Sequence, residues 1–128
     1  MSRPPNPLKE GERQVFHIPD IEWLPWIKDG KTNPDMKWAP LSHDSTAPGG
    51  GGRYLIRLEP GCKGPLHKHD DWDELYVIEG SFTDSDGAVL RAGDYAIFKP
   101  GSVHWTDSEE GATVIATYAR TSVVDNKD

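Results

Sequence analysis

Glycine and proline punctuate the chain from residue 48 onward, at intervals of about 8 to 12 residues. This spacing is typical of an antiparallel β sandwich or barrel, because each interval has the length of one strand and its turn. After residue 50 no segment shows the 3.6-residue apolar period of an amphipathic helix. The spacing therefore predicts a compact all-β core over residues 53–120. The turn signals are PGGGG at 48–52, PG at 60–61, EG at 79–80, DSDG at 84–87, AGD at 92–94, PGS at 100–102 and EEG at 109–111.

The segments between these turns have the length and composition of strands. They are rich in β-branched and aromatic residues, which favour a pleated, half-buried surface. The DSDG stretch, between SFT and AVLR, predicts a hairpin connection, since Asp and Gly tolerate the positive φ that such loops need. The predicted strands are RYLIRL (53–58), ELYVI (74–78), YAIF (95–98), VHWT (103–106) and ATVIATYA (112–119).

The first 50 residues differ from the rest because eight prolines precede position 49. Proline excludes a long helix there. We expect an arm, residues 1–50, with one or two edge strands around VFHI (15–18) and MKWAPL (36–41). Trp23, Trp26 and Trp38 would cover an open face of the sheet; the alternative is an arm that is swapped onto a neighbouring subunit. Arm and barrel core together predict one domain over residues 1–128, with a frayed tail at 122–128.

Charge and hydropathy exclude several classes of partner. Fourteen Lys and Arg against 21 Asp and Glu give a net charge of −7, and the basic residues are scattered. Nucleic acid and anionic membranes are therefore poor partners. The absence of an 18-residue apolar run and of a secretory leader predicts a soluble, cytoplasmic protein. The single cysteine, Cys62, is expected to be a small buried hydrophobe.

Two of the five histidines, His67 and His69, lie one residue apart before a group of acids. Side chains alternate along a strand, so both imidazoles would point to the same side and form a chelating pair. A divalent cation takes both rings as neutral donors, and a carboxylate such as Asp73 or Glu74 would cancel part of its charge. In a barrel, the later strand that carries His104 could lie beside this pair and complete the site.

The two segments that carry these histidines resemble the two motifs of the cupin superfamily. Gly61, five residues, then His67-Lys68-His69 fits the first motif, which ends at Gly80. The second motif is approached by Gly93 and by Gly101-Ser102-Val103-His104. The resemblance implies a cupin double-stranded β-helix, or jelly-roll barrel, that holds one divalent metal ion per chain. It implies His67, His69 and His104 as metal ligands, together with one acid.

Three positions depart from the cupin pattern. The acid position is open between Asp73, which shares a face with Leu75 and Val77, and Glu74, which reaches farther by one methylene. A bulge would reverse the parity on which the choice of Asp73 depends. In the second motif, Lys99 stands where proline is expected and Pro100 follows it, while Ser108 replaces the terminal asparagine.

A finer resemblance is to the ChrR-like branch of small cupins. It is carried by WLPW (23–26), IRLEPG (56–61), DELYVIEGSFTDSDG (73–87) and AGDYAIFKPGSVHW (92–105). This branch includes the cupin half of a zinc-dependent anti-sigma factor. It also includes non-haem iron dioxygenases such as acetylacetone dioxygenase and 2,4'-dihydroxyacetophenone dioxygenase. The resemblance implies Fe(II) as the favoured ion, with Zn, Ni or Mn as alternatives.

The function expected from this resemblance is a dioxygenase that acts on a small carbonyl or enolisable substrate. Arg57 or Arg53 would pair with a substrate oxygen, and Tyr76 and Trp105 would form part of the substrate-binding wall. Two alternatives stay open, a metal-dependent lyase or isomerase and a zinc-binding regulatory cupin without catalysis. Cupin barrels often pair through their sheet edges, so we also expect a homodimer.

Overall fold

The computed structural model describes residues 2–117 and 120–124, and these residues are almost entirely β-strand or connecting turn. The one helical element among them is a 3-10 turn at Ile18–Asp20. No helix in the described ranges is long and apolar enough to cross a membrane. The all-β prediction is therefore confirmed. The strands are β1 Leu24–Lys28, β2 Lys31–Pro40, β3 Arg53–Leu58, β4 Cys62–Lys63, β5 His67–His69, β6 Asp73–Asp84, β7 Val89–Arg91, β8 Tyr95–Phe98, β9 Val103–His104, β10 Thr106–Ser108, β11 Ala112–Thr117 and β12 Thr121–Val123.

The strands form two antiparallel sheets. The larger has the order β1-β2-β3-β11-β6-β10-β4, with β7 and β8 also paired to β6. The smaller has the order β12-β5-β9. Strand β6 is the longest, with 12 residues, and it pairs with β7, β8, β10 and β11. It is therefore the scaffold to which most of the later strands are attached.

A bulge in β6 changes which residues face inward. Thr113 of β11 pairs with Glu79, but the next residue, Val114, pairs with Val77, so Ile78 is an extra residue on β6. Before the bulge the buried residues are odd-numbered, Asp73 and Val77, and after it they are even-numbered, Phe82 and Asp84. Because of the bulge, Asp73 at an odd-numbered position and Asp84 at an even-numbered position both face the interior.

The N-terminal region differs from its prediction at one strand. VFHI (15–18) forms no strand: residues 15–17 have no regular structure and Ile18 begins the 3-10 turn, because Pro19 limits pairing there. MKWAPL (36–41) lies in β2 except for its last residue, and β2 pairs with β3. The last three residues of WLPW instead begin β1, which forms a hairpin with β2.

Aromatic side chains dominate the core. Trp26 and Trp38 are buried, and Trp38 packs edge-to-face on Tyr54 with ring centroids 6.1 Å apart. Such pairs add about 0.5–1.5 kcal/mol beyond the burial of their area. Cys62 is buried in the same cluster, and burial raises the pKa of its thiol to about 11, as suits an inert hydrophobe.

Two predictions near the C-terminus are corrected. VHWT, expected as one strand, is divided at Trp105 into β9 of the small sheet and β10 of the large one. The tail was expected to fray from residue 122, but Thr121–Val123 forms β12 and pairs with His67–His69. Residues 118–119, which end the predicted strand ATVIATYA, and residues 125–128 lie outside the described ranges.

Candidate metal centre

Strand register brings the three predicted histidines together. His67 and His69 share one face of β5, since side chains alternate along a strand. His104 of β9 is the direct cross-strand partner of His67. A cross-strand partner and a residue two places along the same face are both close neighbours in a sheet. One ligand atom from each of the three rings lies within 4.8 Å of the other two.

The three rings form a packed cluster. Their centroids are 5.1 Å apart for His67 and His69, 4.5 Å for His67 and His104, and 4.8 Å for His69 and His104. Phe98 of β8 stacks on His69 with centroids 4.9 Å apart and planes 9° apart. It also lies 4.6 Å from His104. The phenyl ring therefore fixes the orientation of two imidazoles from behind.

The hydrogen bond of His67 determines which of its nitrogens is free. Nδ1 lies 3.0 Å from the carbonyl oxygen of Pro65. A carbonyl can only accept, so Nδ1 carries the proton and donates it. Burial lowers the pKa of His67 to about 4, against the smaller opposing effect of that hydrogen bond. The ring is thus neutral near pH 7, with a bare lone pair on Nε2.

His104 is held in the same way by Asp84, which sequence reasoning missed. Nδ1 of His104 donates to Oδ1 of Asp84 over 2.6 Å, and both residues are buried. A carboxylate on the distal nitrogen is the common means of orienting a metal-binding imidazole and raising its basicity. Asp84 ends β6 at the DSDG hairpin, so in the sequence it read as a turn residue. The one signal that could have found it is the parity it shares with Phe82 after the bulge.

The two candidate acid ligands face different surroundings. Asp73 is buried and its Oδ2 lies 2.8 Å from Nδ1 of His69. Despite this close approach, His69 Nδ1 makes no hydrogen bond, and Asp73 Oδ1 is likewise buried without a hydrogen-bond partner. Glu74 faces the other way, where Tyr95 donates to its Oε1 over 2.7 Å. This hydrogen bond raises the pKa of Tyr95. The ligand-atom cluster found among the described residues contains neither acid.

The donor set fits a divalent metal ion. Nε2 of His69 and Nε2 of His104 are 2.8 Å apart, so a proton or a cation must lie between them. Imidazole nitrogens suit Fe(II), Zn, Ni and other first-row ions. The buried carboxylates of Asp73 and Asp84 lie just behind the rings, and a divalent cation held by the three histidines would balance their charge. The other two histidines, His17 and His43, are exposed and outside the cluster.

The three rings open onto an apolar cavity of about 100 Å³. The residues of its wall come from both sheets, so the cavity lies between them. Apart from the histidines, the only charged residues that line it within the described ranges are Asp73 and Lys28. The apolar wall includes Trp26, Met36, Tyr54, Ile56, Leu58, Leu75, Phe82, Val114 and Ala116.

The residues predicted to bind substrate lie outside this wall. Arg57 alternates with Ile56 and Leu58 and so points to the other face of β3, where its Nη1 donates to Glu79 and Thr113. Tyr76 and Trp105 are 42% and 38% exposed and do not line the cavity. Arg57, Tyr76 and Trp105 thus do not line the cavity that the histidines face, and their role in substrate binding stays a prediction.

Solved structures share this fold. An RmlC-like cupin from Ralstonia eutropha superimposes with a TM-score of 0.69 and 20% identity, over 90% of this chain and 74% of that one. An acetylacetone dioxygenase from Acinetobacter johnsonii has a TM-score of 0.69 and 15% identity, over 94% and 84%. The anti-sigma factor ChrR, solved with SigE of Rhodobacter sphaeroides, has a TM-score of 0.56 and 22% identity, over 78% and 49%.

The sequence itself identifies the family. No curated protein matches the chain significantly. The profile of the ChrR cupin-like domain, in contrast, matches residues 11–122, which include every strand of both sheets up to β11 and most of β12. Because this match covers nearly the whole chain, the predicted resemblance is confirmed: the protein belongs to the ChrR cupin-like domain family and has the cupin jelly-roll fold.

Proposed function

We propose that this protein is a metal-dependent oxygenase, a non-haem iron dioxygenase that acts on a small carbonyl or enolisable substrate. The observation that carries the proposal is the convergence of three imidazoles, without a carboxylate in their cluster, on a small apolar cavity. Three protein ligands leave coordination positions for other molecules. Similarity in fold to acetylacetone dioxygenases adds support.

Residues of this chain prepare the three rings for an ion. The carbonyl of Pro65 and the carboxylate of Asp84 hold protons on Nδ1 of His67 and His104, so the Nε2 lone pairs face inward. Fe(II) bound to these nitrogens would supply Lewis acidity and would mediate the transfer of electrons from the enolised substrate to dioxygen. The apolar wall excludes water and leaves space only for a small molecule.

In this proposal Asp73 contacts the substrate rather than the ion. Its Oδ1 is buried, has no hydrogen-bond partner, and belongs to a residue of the cavity wall. The enol form of a dicarbonyl offers a hydroxyl, which this oxygen can accept. Such a contact would favour the enol over the diketone and would orient it beside the histidines.

Oxygen uptake tests the proposal directly. Protein loaded anaerobically with one Fe(II) per chain is mixed with β-dicarbonyls and hydroxy-ketones, and oxygen consumption is followed with an electrode. We expect uptake with at least one enolisable dicarbonyl. The zinc-loaded protein and the iron-treated His104→Ala variant, which are the matched controls, should show none.

Two other outcomes would replace this function. Conversion of a substrate without oxygen uptake would indicate a metal-dependent lyase or isomerase. Tight, stoichiometric zinc with no turnover of any substrate would indicate a regulatory cupin, the class to which ChrR belongs.

The proposed homodimer is tested separately by sedimentation, since Tyr76, Tyr95 and Ile97 leave an exposed apolar strip on β6 and β8. A monomer at micromolar concentration would contradict it.

A further inference from the structure

We infer that Lys28 binds an anionic group of the substrate, so that the preferred substrate is a small enolisable dicarbonyl that carries a carboxylate. This inference rests on the proposed function for the position of the dicarbonyl at the metal. It assigns to Lys28 the charge recognition that the sequence suggested for Arg57 or Arg53.

Lys28 is the one lysine or arginine that lines the cavity within the described part of the chain. It ends β1 and is half-buried. The other charged residue of the wall, Asp73, contacts His69 and would repel an anion there. Apart from the proposed metal ion, Lys28 is therefore the electrostatic partner that the cavity wall offers a carboxylated substrate whose dicarbonyl oxygens face the histidines.

The ammonium group of Lys28 is held loosely by the protein. Nζ donates to the carbonyl oxygens of Pro48 and Gly49, each over 3.4 Å, which is long for such bonds. No carboxylate of the described residues lies within 4.0 Å of it. An ammonium has three donors, and two long contacts to neutral acceptors leave its charge unpaired. A buried anion would be a stronger partner than either carbonyl.

Gly49 lies beside both Lys28 and Thr121, and Thr121 belongs to the strand next to that of His69. A Cβ at position 49 would lie 2.4 Å from Nζ of Lys28 and 2.7 Å from Oγ1 of Thr121. Thr121 is the cross-strand partner of His69. The ammonium and the threonine hydroxyl thus approach the same glycine, one strand away from the histidines. Because Gly49 has no side chain and a φ of +72°, the loop leaves space for both groups.

The experiment measures binding, not turnover, with two probes of the same shape. These are 3,5-dioxohexanoate and hexane-2,4-dione, which share a β-diketone and differ by a terminal carboxylate or methyl group. Zinc-loaded protein is titrated with each probe by calorimetry. We expect the carboxylate to bind at least about tenfold more tightly, as a charged hydrogen bond in an apolar site should provide.

Variants assign that preference to one side chain. Lys28→Met should abolish the preference for the carboxylate and leave the affinity for the dione within about twofold. Lys28→Gln, which keeps a donor for the Pro48 and Gly49 carbonyls but removes the charge, should do the same and covers the case in which the methionine variant fails to fold. Lys31→Met is the matched control, because Lys31 pairs with Lys28 in the β1–β2 hairpin but does not line the cavity.

The inference is overturned if the wild type shows no preference for the carboxylate, if neither probe binds at millimolar concentration, or if Lys28→Gln retains the preference. Its failure is distinguishable from that of the proposed function. A charge preference that depends on Lys28, with no oxygen uptake by the iron form, keeps the anion site and removes the dioxygenase. Oxygen uptake by the iron form, together with equal affinity for the two probes, supports the dioxygenase and removes the anion site.

Discussion

The two sheets of the barrel contribute differently to the candidate metal centre. The small sheet, β12-β5-β9, has strands of two or three residues and carries all three histidines. The large sheet contributes no imidazole to the cluster but supplies most of the apolar wall, both buried carboxylates and Lys28. The ligands thus come from the small sheet, and the carboxylates that contact two of them come from β6 of the large sheet.

This division has an energetic consequence. The small sheet adds no apolar side chain to the buried core cluster of the described residues, and its own buried side chains are the imidazoles of His69 and His104. Strand β6, in contrast, contributes Val77 and Phe82 to the core and Asp73 and Asp84 to the histidines. Substitutions should therefore separate into those that remove the ion and those that lower stability but leave the ion in place.

The largest effect is expected from the ligands themselves. His67→Ala, His69→Ala and His104→Ala should each abolish metal retention, because two imidazoles cannot hold the ion through purification. Elemental analysis gives the metal content per chain, and circular dichroism checks that the sheets remain. His17→Ala and His43→Ala, which change exposed histidines outside the cluster, should keep the full content. Retention of metal by any of the first three variants would contradict the ligand set.

The next effect concerns the carboxylates behind the rings. Asp84→Asn should weaken metal affinity about 10- to 100-fold, since it removes the negative charge that raises the basicity of His104. Asp73→Asn should weaken it less, because Asp73 makes no hydrogen bond to His69. Glu74→Gln, on the opposite face of β6, is the control and should leave the affinity unchanged. Competition with a chelator measures all three, and a larger loss in the glutamate variant would identify Glu74 as the acid ligand.

Much of the fold could be predicted from local pattern. RYLIRL and YAIF have the bounds of β3 and β8, because their turns are marked by glycine or proline on both sides. The division of VHWT between two sheets could not be predicted, since a change of sheet at Trp105 depends on what each half pairs with. For the same reason β12 could not be predicted within the tail, because its residues have a strand partner only once β5 is in place.

The site shows the same limit. The spacing of His67 and His69 indicates a chelating pair by itself, and the cupin resemblance adds His104. Asp84 and Lys28 escaped notice because their roles depend on tertiary placement: the bulge at Ile78 turns Asp84 inward, and the β1–β2 hairpin brings Lys28 to the cavity. Neither residue lies in a motif that carries chemistry.

A substitution in the core should lower the stability and leave the metal content unchanged, whereas a substitution of a histidine ligand should remove the metal. Val77 is fully buried in β6 but does not line the cavity. Val77→Ala removes the equivalent of two methylene groups, at about 0.8 kcal/mol each, and should lower the free energy of unfolding by about 1.6 kcal/mol. Urea denaturation of the metal-free protein measures this. The metal content at saturation should stay at one per chain. A loss of metal would mean that the core of the large sheet is needed to hold the histidines of the small one.

The smallest effect is expected at Arg57, on the outer face of the large sheet. Its ion pair with Glu79 is largely exposed, and such pairs contribute at most about 1 kcal/mol. Arg57→Met should therefore lower the free energy of unfolding by that amount or less. It should leave the affinity of the zinc-loaded protein for 3,5-dioxohexanoate unchanged, because the guanidinium points away from the cavity. A fall in that affinity comparable to the fall in Lys28→Met would place Arg57 at the substrate after all and would show that the charge recognition is shared between the two faces of the sheet.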